Sequence, residues 1–257
     1  MFIQANWLLD KSRVAAVHST RKGGYSALPY QSLNLGYHVN DSKQDVDKNQ
    51  QKVQKILDLV FPLQMVQQVH GNTVLELKRP LYRALDEMSK TFSYQDLPRA
   101  DALYTRVRQL PLCILTADCL PIFLVNKVCD EIAVIHGGWR SLSQGIIRNT
   151  LALFHAKPWD IIAYMGAAIG AQKFEVGMEV KQAFMAVDAR LATAFVQTGH
   201  SDKSLADLYK IGKLLLQASG VERCYQRDFC THTDEDLFFS YRRDGATGRM
   251  GNVIWLL

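Results

Sequence analysis

The sequence predicts one α/β or α+β domain, and three observations carry that prediction. Short apolar runs with strand-like alternation recur from Val14 to the C-terminus. Segments with helical spacing lie among them without a regular strand–helix–strand rhythm. No Gly/Ser linker, low-complexity tract or internal repeat divides the chain, so residues 1–257 read as one unit. At 48% hydrophobic and 21% charged, the 257 residues have ample material for a large core.

The strand-like segments are Val14–Ser19, Met65–Gln68, Val74–Leu77, Ala102–Thr105, Leu112–Leu115, Ile122–Asn126, Glu131–His136, Ile161–Met165 and Val253–Leu257. Helical spacing appears in Asp45–Leu59, Leu142–Phe154, Glu179–Phe184 and Asp207–Ser219. Ser141 is placed to cap the second of these, and Gly220 to end the last. The polar stretch Pro80 to Arg99 reads as a loop-rich insertion.

The net charge of +5 is mild and no basic run is present, so nucleic acid is not suggested; a small anionic substrate such as phosphate is compatible. No apolar run is long enough to span a bilayer, and the N-terminus lacks the pattern of a signal peptide. Five cysteines at irregular spacing argue against a disulfide framework and for a reducing cytoplasm. The expectation is a monomer with small-molecule substrates, without membrane or nucleic-acid partners.

Three segments end an apolar strand with a metal-capable side chain and turn at once: Val69-His70-Gly71, Asp118-Cys119-Leu120-Pro121 and Ile135-His136-Gly137-Gly138. Two histidines and a cysteine form a three-ligand catalytic zinc set with one position left open, and thiolate plus imidazole selects zinc or copper over magnesium or calcium. Separations of 49 and 17 residues match no compact metal motif. On spacing alone, two satisfied structural histidines and a buried cysteine are the more economical reading.

Longer motifs change that weighting. Thr116-Ala-Asp-Cys-Leu-Pro-Ile122 and Ala133-Val-Ile-His-Gly-Gly-Trp-Arg140 resemble the core of the laccase-domain, or multicopper-polyphenol-oxidase-like, family. In the same order along the chain, Thr20–Ser26, Asn34–Val39, Val69–Gly71, Arg99–Ala102, Phe174–Gly177, Cys230-Thr231 and Phe239–Arg249 resemble its other motifs. The resemblance implies two packed mixed β-sheets flanked by helices, a four-layer sandwich distinct from a Rossmann fold. It implies a metal held by His70, Cys119 and His136, usually taken as zinc, with copper as the older alternative. The implied activity is purine nucleoside phosphorolysis with adenosine deamination, on adenosine, inosine or methylthioadenosine. Two departures, Gly166-Ala-Ala-Ile-Gly170 without proline or cysteine and Ser141 in place of glycine, touch loops that shape the pocket.

For deamination, zinc activates water for attack at C6 of adenine, with Asp118 and His38 as candidates to move protons. For phosphorolysis, guanidinium groups suit phosphate oxygens, which singles out Arg140 as a catalytic candidate and Arg21 and Arg242 as substrate ligands. Asn34 is a candidate sugar or base contact. Each has a plain alternative: Asp118 as a turn cap, Arg140 in a surface ion pair, His38 as a core histidine, and Arg242-Arg243-Asp244 as a solvated edge strand. His18, His155, His200 and His232 read as structural, Cys113, Cys129 and Cys224 as inert thiols, and Cys230 has no assigned chemistry.

Two other functions use the same residues. The implied fold resembles cysteine deamidases of the cytotoxic necrotizing factor type, in which Cys119 and His136 would be a nucleophile–base pair acting on peptide or peptidoglycan precursors. A non-catalytic binding or quality-control protein that sequesters a nucleotide-sugar or cell-wall precursor is the third. Copper-dependent polyphenol oxidation fits poorly, because seven histidines without a His-x-His pair cannot build a multicopper centre.

Overall fold

The structure, a computed structural model, describes residues 1–7, 12–82, 94–199 and 202–257. Its strands are β1 (Phe2–Gln4), β2 (Val14–Ser19), β3 (Val74–Leu77), β4 (Ala102–Thr105), β5 (Leu112–Thr116), β6 (Leu120–Asn126), β7 (Ile132–Gly137), β8 (Ile161–Met165), β9 (Glu175–Gly177), β10 (Phe195–Gln197), β11 (Lys203–Ala206), β12 (Arg223–Gln226) and β13 (Met250–Leu256). The α-helices are α1 (Lys43–Ile56), α2 (Trp139–Ser143), α3 (Ile146–Leu151), α4 (Met178–Val187), α5 (Leu208–Ala218) and α6 (Tyr241–Asp244).

A six-stranded mixed sheet, β12-β8-β6-β7-β4-β3, packs on a four-stranded antiparallel sheet, β1-β2-β13-β5. Both faces of the larger sheet are buried, which is why its central strands read as near-continuous apolar runs. Phe123, Val125, Ile132 and Val134 meet Ala16, Ile114 and Ile254 of the smaller sheet. The alternate residues Ile122, Leu124, Ala133 and Ile135 face Leu142, Ile146, Phe184 and Ile211 of the helical layer. On the outside of the smaller sheet, Val17, Leu115 and Val253 are covered by Val53 of α1 and by loop residues such as Leu33 and Leu35. The result is the expected four-layer arrangement, with only the larger of the two main sheets mixed. A third, antiparallel sheet, β10-β11-β9, is added beside α4. Among the described residues no helix is long and apolar enough to cross a membrane.

Several local expectations are corrected. Met65–Gln68 is not a strand; only isolated bridges form at Gln64 and Gln67. Here glutamine side chains replace ladder partners: Leu115 N–H donates to Gln68 Oε1 (2.7 Å) and Gln68 Nε2 donates to the Leu115 carbonyl (2.8 Å). The predicted helix Leu142–Phe154 is two short helices, α2 and α3, because Gly145 turns the backbone to φ +86° between them. Ser141 therefore lies inside α2 rather than capping it, and its hydroxyl is buried without a partner. Arg242-Arg243-Asp244 belongs to the helical turn α6, capped by Ser240, not to an edge strand. Asp207 caps α5 and Gly220 follows its end at φ +86°. Residues 83–93 of the predicted insertion, and His200, lie outside the described residues.

His18 is the buried histidine between the two main sheets. Its Nδ1 is 2.8 Å from Asn252 Oδ1, its Nε2 has no partner, and its ring stacks on Tyr164 with centroids 5.6 Å apart. Gly166 makes the space, since a Cβ there would lie 2.0 Å from His18 Cε1. Burial lowers the His18 pKa to about 4 against the Asn252 bond, which favours protonation. The unfolded chain therefore takes up this proton first as pH falls. Stability from neutral His18 is complete above about pH 6.5 and is lost progressively toward pH 4, by about 3 kcal/mol in all. Urea unfolding between pH 7.5 and 4 should show a smaller acid loss, by about that amount, in His18→Gln than in the parent chain.

Candidate metal centre

Cys119 lies in the turn by which the chain leaves β5 in one sheet and enters β6 in the other. His136 lies on β7, whose register sets Pro121 opposite His136 and Leu120 opposite Gly137. An antiparallel hairpin thus brings Cys119 and His136 to the same end of the six-stranded sheet. His70 comes from the loop before β3 and has φ +57°. The ligand-capable atoms of His70, Cys119 and His136 all lie within 4.8 Å of one another. The three differ in depth: His136 is buried, Cys119 half-buried and His70 exposed.

Asp101, just before β4, organises two of the three. Its Oδ1 accepts from His70 N–H (2.9 Å) and stands 2.9 Å from His136 Nδ1. Its Oδ2 accepts from Gly71 N–H (2.7 Å) and Val69 N–H (3.3 Å). The Asp101 carbonyl also takes the His136 N–H at 2.8 Å. With Nδ1 committed to the carboxylate, the His136 Nε2 is left for Cys119, to which the ring is hydrogen-bonded. A carboxylate behind a ligating histidine is the usual device for fixing its tautomer and direction. Gly138 completes the cradle: a Cβ there would lie 2.7 Å from His70 Nδ1 and 3.4 Å from His136 Cε1.

The electrostatics follow from this crowding. Burial works against charge on His136, but the Cys119 sulfur and Asp101 hold its pKa up to about 9. Solvent still reaches the side chain of His70, yet lost hydration and the charge of His136 push it down to about 4, with Asp101 opposing. Asp101 stays below the usual carboxylate range: burial raises it, and the His136 bond with the backbone N–H groups more than compensates. Two imidazoles, a thiol, an orienting carboxylate and an exposed rim fit a metal with an open coordination position, so the donor set passes the chemical test. Among the described residues no other group of three or more His, Cys, Asp or Glu side chains converges in this way.

The other predicted residues are distributed around this centre. His38 packs on Tyr94 with ring centroids 4.6 Å apart; lost hydration and then the charges of Arg249, His136 and His70 hold its pKa near 4. Asp118 has φ +91° and both carboxylate oxygens occupied, Oδ1 by the Thr231 hydroxyl (2.6 Å) and Oδ2 by the Arg242 N–H (2.7 Å). Arg140 stacks on Trp139 at 4.3 Å and forms no ion pair among the described residues, unlike its surface-pair alternative. Arg242 lies over Phe174 at 5.4 Å and donates to the Glu175 carbonyl at 2.9 Å. A pocket of about 130 Å³ opens beside Cys119, walled by Trp139, Ile169, Phe174, Tyr241 and Arg242.

Arg21 and Asn34 are placed differently. Arg21 donates to the carbonyls of Gln31 and Glu235 and lines a separate open groove with Lys22 and Arg243. Asn34 is fully buried with its amide fully used, donating to the Gly36 carbonyl and Asp41 and accepting from Gly36 and Arg249 N–H. Sequence reasoning gave no role to Asp101, Trp139, Phe174, Tyr241 or Arg249. All five fall in motifs noted above, and a buried acid just before an apolar strand was the available signal for Asp101. Cys230, without assigned chemistry, accepts from Gly170 N–H at 3.2 Å.

The comparisons with known proteins decide the family. The profile of the multi-copper polyphenol oxidoreductase laccase family matches residues 15–257. The chain belongs to that family. Among relatives, it is 42% identical to the purine nucleoside phosphorylase YfiH of Shigella flexneri over 99% of this chain and 98% of that one. It is 38% identical to a purine nucleoside phosphorylase of Haemophilus influenzae, over 98% of each chain. Among solved structures, the Neisseria meningitidis protein NMB0706 superposes with a TM-score of 0.88 at 38% identity, covering 99% of this chain and 98% of that chain. YlmD of Geobacillus stearothermophilus gives 0.83 at 30% identity, covering 95% and 92%. The laccase-family chain therefore carries its His/Cys/His cluster on a fold seen in solved relatives.

Two substitutions test the cradle. Asp101→Asn should weaken binding of a divalent metal by about 10- to 100-fold in a chelator competition, with circular dichroism unchanged. Gly138→Ala should displace the His70 ring and give at least as large a loss.

Proposed function

We propose that the protein is a zinc-dependent purine nucleoside phosphorylase with adenosine deaminase activity, acting on adenosine and inosine and by the same chemistry on methylthioadenosine. The observation that supports it most is the His70–Cys119–His136 cluster, backed by Asp101 and opening on a pocket walled by aromatic rings. The purine nucleoside phosphorylase names carried by relatives up to 42% identical over nearly the full chain support the phosphorylase part of it.

In this reading His70, Cys119 and His136 hold zinc. When bound, zinc supplies Lewis-acid activation at neutral pH. Trp139, Phe174 and Tyr241 offer flat apolar faces to the purine and keep water from it. Arg242, fixed over Phe174, orients the nucleoside from the pocket wall, and Arg140 adds positive charge beside it, where electrostatic stabilisation costs no reorganisation. His38, neutral at physiological pH, is the acceptor for a proton leaving the site. Asp118 serves as a positioning group, because both of its oxygens are bound and its carbonyl takes the Ile169 N–H at 3.0 Å. Arg21, in its own groove, and Asn34, without a spare donor or acceptor, stand outside the substrate contacts.

A cysteine hydrolase reading has one observation in its favour: the Cys119–His136 hydrogen bond could serve a thiolate–imidazole pair. His70 weighs against it, because a dyad has no use for a third donor in the same cluster. Multicopper oxidation needs several coppers, and the one three-donor cluster among the described residues does not supply their ligands.

Metal-replete protein should release free base from adenosine and inosine only when phosphate is present, and should convert adenosine to inosine without it. Both nucleosides unchanged under every condition would overturn the proposal. Elemental analysis should find roughly one zinc per chain and none in Cys119→Ala. Iodoacetamide should modify Cys119 only after chelation; equal reactivity before chelation would favour the hydrolase.

A further inference from the structure

Among the described residues, three guanidinium groups around the Cys119 site have no carboxylate partner, and one of them is recessed. Arg140 and Arg242 sit on aromatic rings at the exposed surface. Arg249 also lies over a ring, that of Tyr241 at 5.8 Å, but it is recessed, just before β13, and burial lowers its pKa while it remains a cation. Arg243 shows what a structural arginine looks like in this fold. It pairs with Asp244 at 2.7 Å and donates to the carbonyls of Thr231, His232 and Phe238.

The surroundings of Arg249 place it with care. Its N–H donates to the buried Asn34 Oδ1 at 2.9 Å, and its carbonyl accepts from Leu35 N–H at 3.2 Å. The stem crosses Gly36, where a Cβ would lie 2.9 Å from Arg249 Cγ and 3.4 Å from His38 Cε1. Nη1 donates to the carbonyls of Thr247 (2.9 Å) and Gly248 (3.0 Å), which fixes the plane of the group. Among the described residues, no hydrogen bond from Nε or Nη2 and no ion pair forms. The charge lies close enough to act on Cys119, Asp118, His38 and His70. A recessed, oriented cation over the pocket-wall Tyr241, with donors unpaired among the described residues, is the arrangement that recognises an oxyanion.

We propose that Arg249 binds the phosphate oxyanion that phosphorolysis consumes, with Asn34 as the residue that positions it. This rests on the phosphorylase reading above. In the step it serves, an oxygen of hydrogen phosphate bonds to ribose C1′ as the C1′–N9 bond breaks. The bonding pair goes to the purine, and the proton of hydrogen phosphate ends there too. Ribose 1-phosphate and free base then balance with no further reactant. Arg249 holds the entering phosphate and neutralises part of its charge.

The test uses the zinc-loaded full chain, with Arg249→Gln and Arg249→Lys. Arg249→Gln should raise the KM for phosphate by about 10- to 100-fold and leave the KM for nucleoside within about threefold, with Arg249→Lys in between. Zinc content should be kept. Inorganic phosphate, titrated calorimetrically without nucleoside, should bind the parent chain and not Arg249→Gln. An unchanged phosphate KM with zinc retained would overturn the proposal. So would loss of zinc and kcat in Arg249→Gln without rescue in Arg249→Lys, which marks a structural residue. Loss of adenosine 5′-monophosphate binding alone, with inorganic phosphate binding intact, would overturn it as well. If the parent chain released no base yet bound phosphate through Arg249, the phosphorylase reading would fall and the oxyanion site would stand.

Discussion

The site depends on one buried carboxylate. Asp101 takes three consecutive backbone N–H groups and one imidazole N–H, so it is satisfied as an anion in a place where an unpaired charge would be prohibitive. The same four bonds set the left-handed turn at His70 and the ring direction of His136. Because Asp101 opens β4, and β4 pairs with β7, the six-stranded sheet holds the carboxylate as rigidly as it holds His136. Ligand geometry is thereby transferred from a loop to the sheet.

A second constraint meets the first at Cys119. The chain changes sheets between Thr116 and Leu120, and the cost of that change shows as φ +91° at Asp118. Thr231, Arg242 and Ile169 hold the turn in place from three other parts of the chain. The segment around α6 is thus tied to the metal centre through Asp118, which is how Arg242 and Tyr241 come to wall the pocket. Further along, the loop into β13 carries Arg249 back toward the same point.

The central strands were legible from sequence because both faces of the large sheet are buried, leaving long apolar runs such as Ile132–Ile135. The strands of the third sheet were not, since β9, β10 and β11 have three or four residues each and mixed polarity. Met65–Gln68 has strand composition, but glutamine amides do the pairing that a neighbouring strand would do. The separation of 17 residues between Cys119 and His136 looked arbitrary as a metal motif, yet it is the length of one hairpin read across its open end. No comparable local rule links His70 to them. Its place was legible only through the ordered family motifs, and Asp101 and Arg249 sat unassigned inside those motifs because burial and partners are properties of the folded chain.

The β6–β7 hairpin has a consequence for how the protein is made. Its pairing is local in sequence, and local contacts close before distant ones. A chain that has formed only this hairpin already presents a thiol and an imidazole side by side, ahead of the arrival of His70. On the proposed ligand set, a metal ion met at that stage would join a two-handed grip on a growing chain, and the third hand would close only when the sheets dock. On that proposed reading, metal supply during synthesis, as well as afterwards, bears on how much correctly assembled protein forms.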